Sequence, residues 1–455
     1  VTSTPPAPRL RATTRPLEQA PDLLALADPS APLIWTRGDR GCVGIGEVLR
    51  LTFTGPRRFS DAAEAWRRIA AAATVDDPVG MPGSGLVALG SFAFADGSAA
   101  ESVLIVPRVL VARHRGRAWI TEVVETSGSG EVGAADEAAE RAVLPGDVRV
   151  PTLAAETARS AVPAAAEPGE WQGAALRDRE LDGGGDSVAA YLAGVREAGE
   201  RIERGAFEKI VIARQLDGRL PGGSDLRVPL TRLAEHYLDC WTFAVDGLIG
   251  ASPETLIRST NGAVSARVLA GTRGRHPEDA TRDARARDEL LTSAKEQHEH
   301  AFAVQSVVTA LSPHVRELRT SDEPFPLRLP NVWHLATDLG AALGERSSSI
   351  ELVGALHPTA AVAGTPTAAA VAAIAELEPF DRGRYSGAVG WIDADGDGEW
   401  VIALRCAQLG EPDAETGARS IVASAGGGIV AGSDPTHELG ETVSKFRPIT
   451  EAFAA

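Results

Sequence analysis

Phe207-Glu-Lys-Ile-Val-Ile-Ala-Arg214 reads as a β-strand, and the strand carries a lysine. On its two-residue period Lys209 shares a face with Val211 and Ala213, while Ile210 and Ile212 take the other. A lysine among small apolar neighbours is desolvated, which pulls its pKa below about 10.4 and makes a neutral amine base available. The plainer alternative is a strand-end lysine that reaches solvent. The composition weighs against it: of 45 basic residues only Lys209, Lys295 and Lys445 are lysines, the other 42 being arginine. Of the two side chains only lysine loses its proton readily, so a lysine retained in an arginine-rich chain marks a place where a guanidinium will not serve.

Outward from this strand the chain alternates helices and strands. Further strands are expected at 241–250, 253–259, 264–270, 388–393, 399–409 and 419–424, and helices at 286–311, 366–377 and 436–446. Asp186-Ser187 caps a helix whose apolar stripe includes Tyr191, Val195, Ala198 and Ile202. Upstream, 21–150 is a strand-rich part of the fold with one amphipathic helix near 60–73, and 151–186 reads as a linker closing on Gly183-Gly-Gly185. Residues 1–20, rich in Pro, Thr and Arg and without the apolar core of a signal peptide, read as a disordered, frayed tail. The remaining segment, 187–451, reads as one large catalytic domain in a mixed α/β (α+β) protein.

The 455 residues carry a formal charge of −17, with 44% hydrophobic and 24% charged residues. That balance is ordinary for a globular chain and excludes wholesale disorder. The acidity argues against a nucleic-acid binder or a polybasic membrane-surface protein, and no apolar run of about 18 residues is present to form a spanning helix. Cys42, Cys240 and Cys406 are odd in number and far apart, which fits neither a disulfide framework nor a zinc site and points to a reducing, cytoplasmic compartment.

Two segments place Glu at i and i+3 on expected helices, so that both carboxylates share a face. One is Lys295-Glu296-Gln297-His298-Glu299-His300. The other runs from Ser433-Asp434-Pro435 through Glu438 and Glu441 to Lys445, a clean helix start with proline near the first turn. Either pair alone reads as a solvated helix face. Two pairs, each beside one of three lysines, point instead to a hard-cation site; oxygen donors without cysteine match Mg²⁺. His298 and His300 are two apart and cannot share a helix face, which excludes an HExxH zinc site. Glu254, after the turn in Gly250-Ala-Ser-Pro-Glu254, opens an apolar strand where a carboxyl can hold a proton near neutral pH. Asp393-Ala-Asp395-Gly-Asp397-Gly398-Glu399 imitates a calcium loop but has Leu404 at its twelfth position and reads as a hairpin turn. Gly426-Gly-Gly428 is not a dinucleotide fingerprint; its bare N–H groups let a carboxylate approach closely.

Taken in order, these segments resemble the chorismate-utilising enzymes, and within them the isochorismate synthases. The matching stretches are Lys209–Arg214, Gly250–Glu254, Leu269-Ala-Gly-Thr-Arg273, Lys295–His300, His334-Leu335, Leu356–Gly364, Arg382–Gly387, Ala403-Leu-Arg405 and Ala425–Phe446, together covering roughly 185–451. The resemblance implies two large β-sheets with helices packed outside and the active site between them. It also implies a monomer acting on a small molecule, chorismate. Mg²⁺ would be held by Glu299 and Glu441, with Glu296 and Glu438 close by on metal waters. The substrate would be bound by Gly271, Thr272, His334, Ala361, Tyr385, Arg405, Gly426, Gly428 and Lys445. An arginine fork and an ammonium suit its two carboxylates, and such a local field lets a −17 chain bind an anion.

Within that family the residue at the Lys209 position separates branches. Ammonia-using anthranilate synthases resemble this strand with Gln there, and aminodeoxychorismate synthases carry a covalent Lys at the Ala270 position. Lys209 with Ala270 looks like the water-using branch. The resemblance then implies that Lys209 activates water for attack at C2 while Glu254 protonates the departing C4 hydroxyl. The product would be isochorismate, feeding menaquinone or siderophore biosynthesis. Salicylate synthases share the lysine and go on to eliminate pyruvate; Thr359–Gly364, with Ala361, looks more like isochorismate synthases, particularly the menaquinone-pathway ones. Gly427 departs from the family, which more often has Ala. A non-catalytic Ca²⁺- or Mg²⁺-binding protein built on Asp393–Glu399 is the remaining alternative.

Overall fold

The computed structural model describes residues 8–126, 147–149, 165, 169–180, 186–328, 332–345 and 347–455. The expected linker over 151–186 falls mostly outside them. Nearly all strand pairs are antiparallel, and they form two wings that share a corner made by two long strands, Arg40–Phe53 and Ser102–His114. Their pairing shifts register between Glu47 and Leu49, a bulge that bends both strands so that each half serves a different wing.

The first wing runs from the corner through Leu33–Arg37, Trp241–Val245, Leu248–Ser252, Cys406–Leu409 and Arg419–Ile429 to Lys209–Leu220. The second runs through Val87–Ser91, Ala388–Asp393, Gly398–Ile402, Thr255–Thr260 and Ala263–Gly274 to Val332–Leu343. Strands from before residue 126 and after 186 therefore join edge to edge in the same sheets, Leu33–Arg37 against Trp241–Val245 and Val87–Ser91 against Ala388–Asp393. Among the described residues no helix is long and apolar enough to cross a membrane. All three cysteines are free.

Helices cover the wings with the faces the sequence marks for burial. Ser187–Glu203 is capped by Asp186, whose carboxylate accepts from Ala189 N, and it buries Tyr191, Val195 and Ala198. Pro435–Ala452 starts behind the Asp434 cap and packs Phe446 and Ile449 against the Arg419–Ile429 strand.

Four expectations are corrected. The frayed tail over 1–20 contains a strand, Leu10–Leu17, which pairs in register with Leu17↔Ala118 through Leu10↔Glu125. Its alternation of Leu10, Ala12 and Thr14 is buried, and Thr14 bonds Thr121 across the pair at 2.8 Å, so the polar composition concealed a one-sided strand. The helix expected over 286–311 is two, Ala280–Thr292 and Ala294–Leu311, because Ser293 leaves helical geometry to cap the second. The strand expected at 241–250 is a hairpin turning at Asp246-Gly247, both with positive φ. The strand expected at 399–409 is interrupted at Arg405, whose φ is 48°. The hairpin reading of Asp393–Glu399 holds: Asp393 accepts from the N–H groups of Asp395 and Asp397 within the turn.

Candidate active site

Lys209 begins its strand where the chain pairs on one side with Gly364-Thr365 and on the other with Arg419–Ile429, Val211 lying opposite Gly428 and Ala213 opposite Gly426. The lysine side chain lies over bare backbone: a Cβ built on Gly428 would stand 3.0 Å from its Cε and 3.7 Å from its Nζ. Burial holds the Lys209 amine below the ordinary lysine range, Glu299 and Glu254 pulling it back up and Lys445 pushing it further down. Glu254 is shifted oppositely. Burial raises its carboxyl, and Lys209 and Arg405 only partly offset that. Its backbone is fixed by Ile402 N donating to its carbonyl at 3.0 Å.

The lysine and the glutamate thus feel one another, one biased towards the neutral amine and the other towards the protonated acid.

Around this pair the other expected residues are placed unevenly. Gly271 occupies a bulge opposite Val332–Leu343 with φ of 77°, and a Cβ there would press on Leu335 and on Glu296 Oε2 at 3.3 Å, so only glycine fits. Thr272 follows, paired with His334. His334 Nδ1 donates to Gly271 O at 3.4 Å, and burial holds its pKa down, with Lys209 adding to the effect. Tyr385 is buried and its phenol pushed up by that burial, within the field of Arg382 and Arg405. Arg405 has no ion-pair partner among the described residues, and it carries its side chain from a positive-φ position of the kind found where backbone strain serves a site. Lys445 Nζ donates to Gly426 O at 2.8 Å and pairs with Glu441 at 3.3 Å. Ala361 is exposed in a turn; its neighbours Val362 and Ala363 are tied to the site by Arg382 donating to Val362 O and Val211 N donating to Ala363 O, both at 2.8 Å.

The two carboxylate pairs form as the spacing requires. Glu296 and Glu299 occupy the first turns of Ala294–Leu311, and that helix is locked to the sheet by buried His300. Its Nδ1 donates to Ala270 O at 3.0 Å, so Nε2 accepts from Thr337 Oγ1 at 2.7 Å, and the ring serves as an anchor. Glu438 and Glu441 stand in the first two turns of Pro435–Ala452. Glu438 is buried and accepts from Ser433 Oγ at 2.9 Å; burial raises its pKa, the Ser433 bond lowers it and neighbouring Glu441 raises it further.

Among the described residues no three His, Cys, Asp or Glu side chains converge as a closed metal cage. The donor set still fits a cation that keeps its waters and takes only one or two protein carboxylates, as Mg²⁺ does.

Sequence reasoning missed the groups that hold these residues in place. Arg214, 4% exposed, donates through Nε to Thr442 Oγ1 at 2.7 Å, pairs with Asp178 and lies over the Phe446 ring, fastening the Lys209 strand to the helix of Glu438 and Glu441. Glu378 and Arg382 form a fully buried pair at 2.6 Å that bonds the backbone of Val211, Ala213 and Val362. Their i,i+4 spacing was the only trace of it in the chain.

With this geometry in view, the relatives are informative. The sequence model of the family described as chorismate binding enzyme matches residues 31–454. The chain belongs to the chorismate-binding enzymes. It is 41% identical to the isochorismate synthase DhbC of Bacillus subtilis (strain 168) over 274 residues, spanning 58% of this chain and 67% of that protein. It is 37% identical to the isochorismate synthase EntC of Escherichia coli (strain K12) over 251 residues, 54% of this chain and 62% of that protein. Among solved structures, DhbC from Bacillus anthracis superposes with a TM-score of 0.65 at 30% identity, covering 94% of this chain and 98% of that one. MenF, the menaquinone-specific isochorismate synthase from Escherichia coli, shares the fold with a TM-score of 0.69 at 24% identity, covering 99% of this chain and 96% of that one.

Proposed function

We propose that this protein is an isochorismate synthase that isomerises chorismate to isochorismate. The observation that carries the proposal is the pairing of a lysine depressed by burial with a glutamate raised by burial, each in the other's field. In the neutral form Lys209 takes a proton from a water as its oxygen bonds to C2. The ring double bonds shift, and the C4–O bond breaks as Glu254 gives its proton to the leaving oxygen. One water enters and one leaves, so no redox cofactor is required. The reaction turns a neutral amine and a neutral acid into an ammonium and a carboxylate within one another's field, where their mutual attraction stabilises the charges that form.

The substrate is a dianion, and the positive groups here are few. Arg405, without an ion-pair partner among the described residues, is a fork available for one carboxylate, with Tyr385 beside it. Lys445 and the Gly426 and Gly428 amides, with Gly271, Thr272 and His334 opposite, are the groups we assign to substrate binding, Ala361 shaping one wall through its turn. The carboxylates of Glu296, Glu299, Glu438 and Glu441 would repel such a substrate unless a cation intervened. We therefore assign Glu299 and Glu441 as Mg²⁺ ligands, with Glu296 and Glu438 on its waters; when bound, the ion supplies positive charge that holds and polarises the ring carboxylate. Menaquinone and siderophore biosynthesis are the two fates we propose for the product, in the cytoplasm; the MenF structure is named as menaquinone-specific.

The test is one incubation of purified protein with chorismate, products resolved by chromatography. Isochorismate approaching a fixed ratio with chorismate is expected. Salicylate with pyruvate would move the protein to the lyase branch, and an unchanged substrate would refute the assignment of Lys209 and Glu254.

A further inference from the structure

Tyr191 is buried to 2% exposure on the helix Ser187–Glu203, and its hydroxyl has no hydrogen-bond partner. A buried hydroxyl without a partner is uncommon enough to need a reason. A second polar atom faces the same place. Glu438 uses Oε1 to accept from Ser433, and a Cβ built on Gly427 would stand 3.0 Å from its Oε2 and 3.2 Å from Tyr191 Oη. The two unused oxygens therefore converge on the spot that a side chain at 427 would fill. Gly427 does not lie in the left-handed region, so its backbone does not demand glycine. What the glycine provides is room.

We propose that Tyr191 is a positioning residue for the cation end of the site: its hydroxyl donates towards Glu438 Oε2 through one water held over Gly427, and fixes that carboxylate in place. A phenol is the right group for this. It is neutral, so it adds no charge to compete with the cation, and its ring is anchored in the core beside Val195 and Ala198. Ser433 holds one carboxylate oxygen from the helix start and Tyr191 the other from the neighbouring helix, so Glu438 is gripped from two elements. The inference rests on the reading of Glu438 as part of a cation site.

The experiment measures Mn²⁺ binding by electron paramagnetic resonance on the full chain, without turnover, for wild type, Tyr191→Phe, Gly427→Ala and the double variant, with Glu441→Ala as control. Tyr191→Phe keeps the ring and removes only the hydroxyl; about a five- to tenfold weaker Mn²⁺ affinity is expected. Gly427→Ala, which fills the space, is expected to weaken binding similarly, and the double variant no further than the worse single one, because both break one interaction. A tyrosine with a merely structural role would lower the melting temperature and leave Mn²⁺ affinity within twofold of wild type, which would overturn the proposal. Independent, additive losses would overturn it too. Wild type that binds no Mn²⁺, or binding that survives Glu441→Ala undiminished, would instead bring down the cation reading, and this inference with it.

Discussion

Gly428→Ala separates chemistry from folding at this site. The added methyl would stand 3.0 Å from Lys209 Cε, whereas carbon atoms rest at about 3.5–4.0 Å, so the lysine end must move by roughly 0.5–1 Å. Beyond its chain neighbours the methyl would meet no other described residue within 4 Å, the contact is with the end of a flexible side chain, and Gly428 is not in the left-handed region. The cost therefore falls on alignment of the amine with its water, where a misplacement of this size lowers the rate about 10- to 100-fold, or ~1.4–2.7 kcal/mol in the barrier. The assay is initial-rate isochorismate formation at saturating chorismate, with thermal melting beside it. We expect kcat to fall by that factor while the melting temperature stays within a few degrees. Gly426→Ala is the contrast, because its Cβ would meet Ile212 O at 2.7 Å and Ala213 Cα at 3.2 Å, which are backbone atoms of the paired strand. It should destabilise by about 1–3 kcal/mol. A fully active Gly428→Ala protein would refute the placement of Lys209 as the base.

Lys209→Arg keeps the charge but cannot deprotonate water, and Glu254→Gln keeps the shape but cannot give a proton; each should lower kcat by about 10²–10⁴-fold with the fold intact, checked by circular dichroism. Because burial lowers Lys209 and raises Glu254, the wild-type kcat/KM profile should be bell-shaped, with limbs drawn inward from the ordinary lysine and carboxylate ranges. Burial also pushes His357 down to about 4, with its Nε2 donating to Phe94 O at 2.9 Å. The unfolded chain takes up that proton near pH 6.5 and the folded one only near 4, so this term of stability is present above pH 6.5 and lost as pH falls to about 4. The loss should reach at most about 3 kcal/mol in denaturant titrations and be flattened in His357→Gln. Removal of divalent cations with EDTA should abolish turnover, Mg²⁺ should restore it, and Glu441→Ala should raise the Mg²⁺ requirement at least tenfold, read from the Mg²⁺ dependence of the rate.

What the chain discloses on its own follows from local chemistry. The Lys209 strand, the Asp186 and Asp434 caps and the hairpin at Asp393–Glu399 are written in neighbouring residues, and the structure shows each of them. The scarcity of lysine singled out Lys209 and Lys445, which come within range of one another, although Lys295 proves an exposed helix residue. The elements that escaped are those decided at a distance. Leu10–Leu17 is a strand because Ala118–Glu125 lies along one edge of it and Thr74–Asp76 along the other. Arg214 reaches Thr442 across 228 positions, and no spacing rule carries that information. The break at Ser293 was legible in principle, a serine three residues before Glu296, but an uninterrupted helical pattern on both sides hid it.

Under the proposed reaction, water activated by Lys209 becomes the C2 oxygen of the product while the C4 oxygen departs through Glu254. Turnover in ¹⁸O-labelled water, followed by mass spectrometry of isochorismate formed at low conversion, tests it directly. One ¹⁸O atom per isochorismate, at C2, with the label absent from unreacted chorismate, is the result this account requires. Unlabelled isochorismate would mean that the hydroxyl moves within the substrate, and the assignment of Lys209 as a base acting on water would fall.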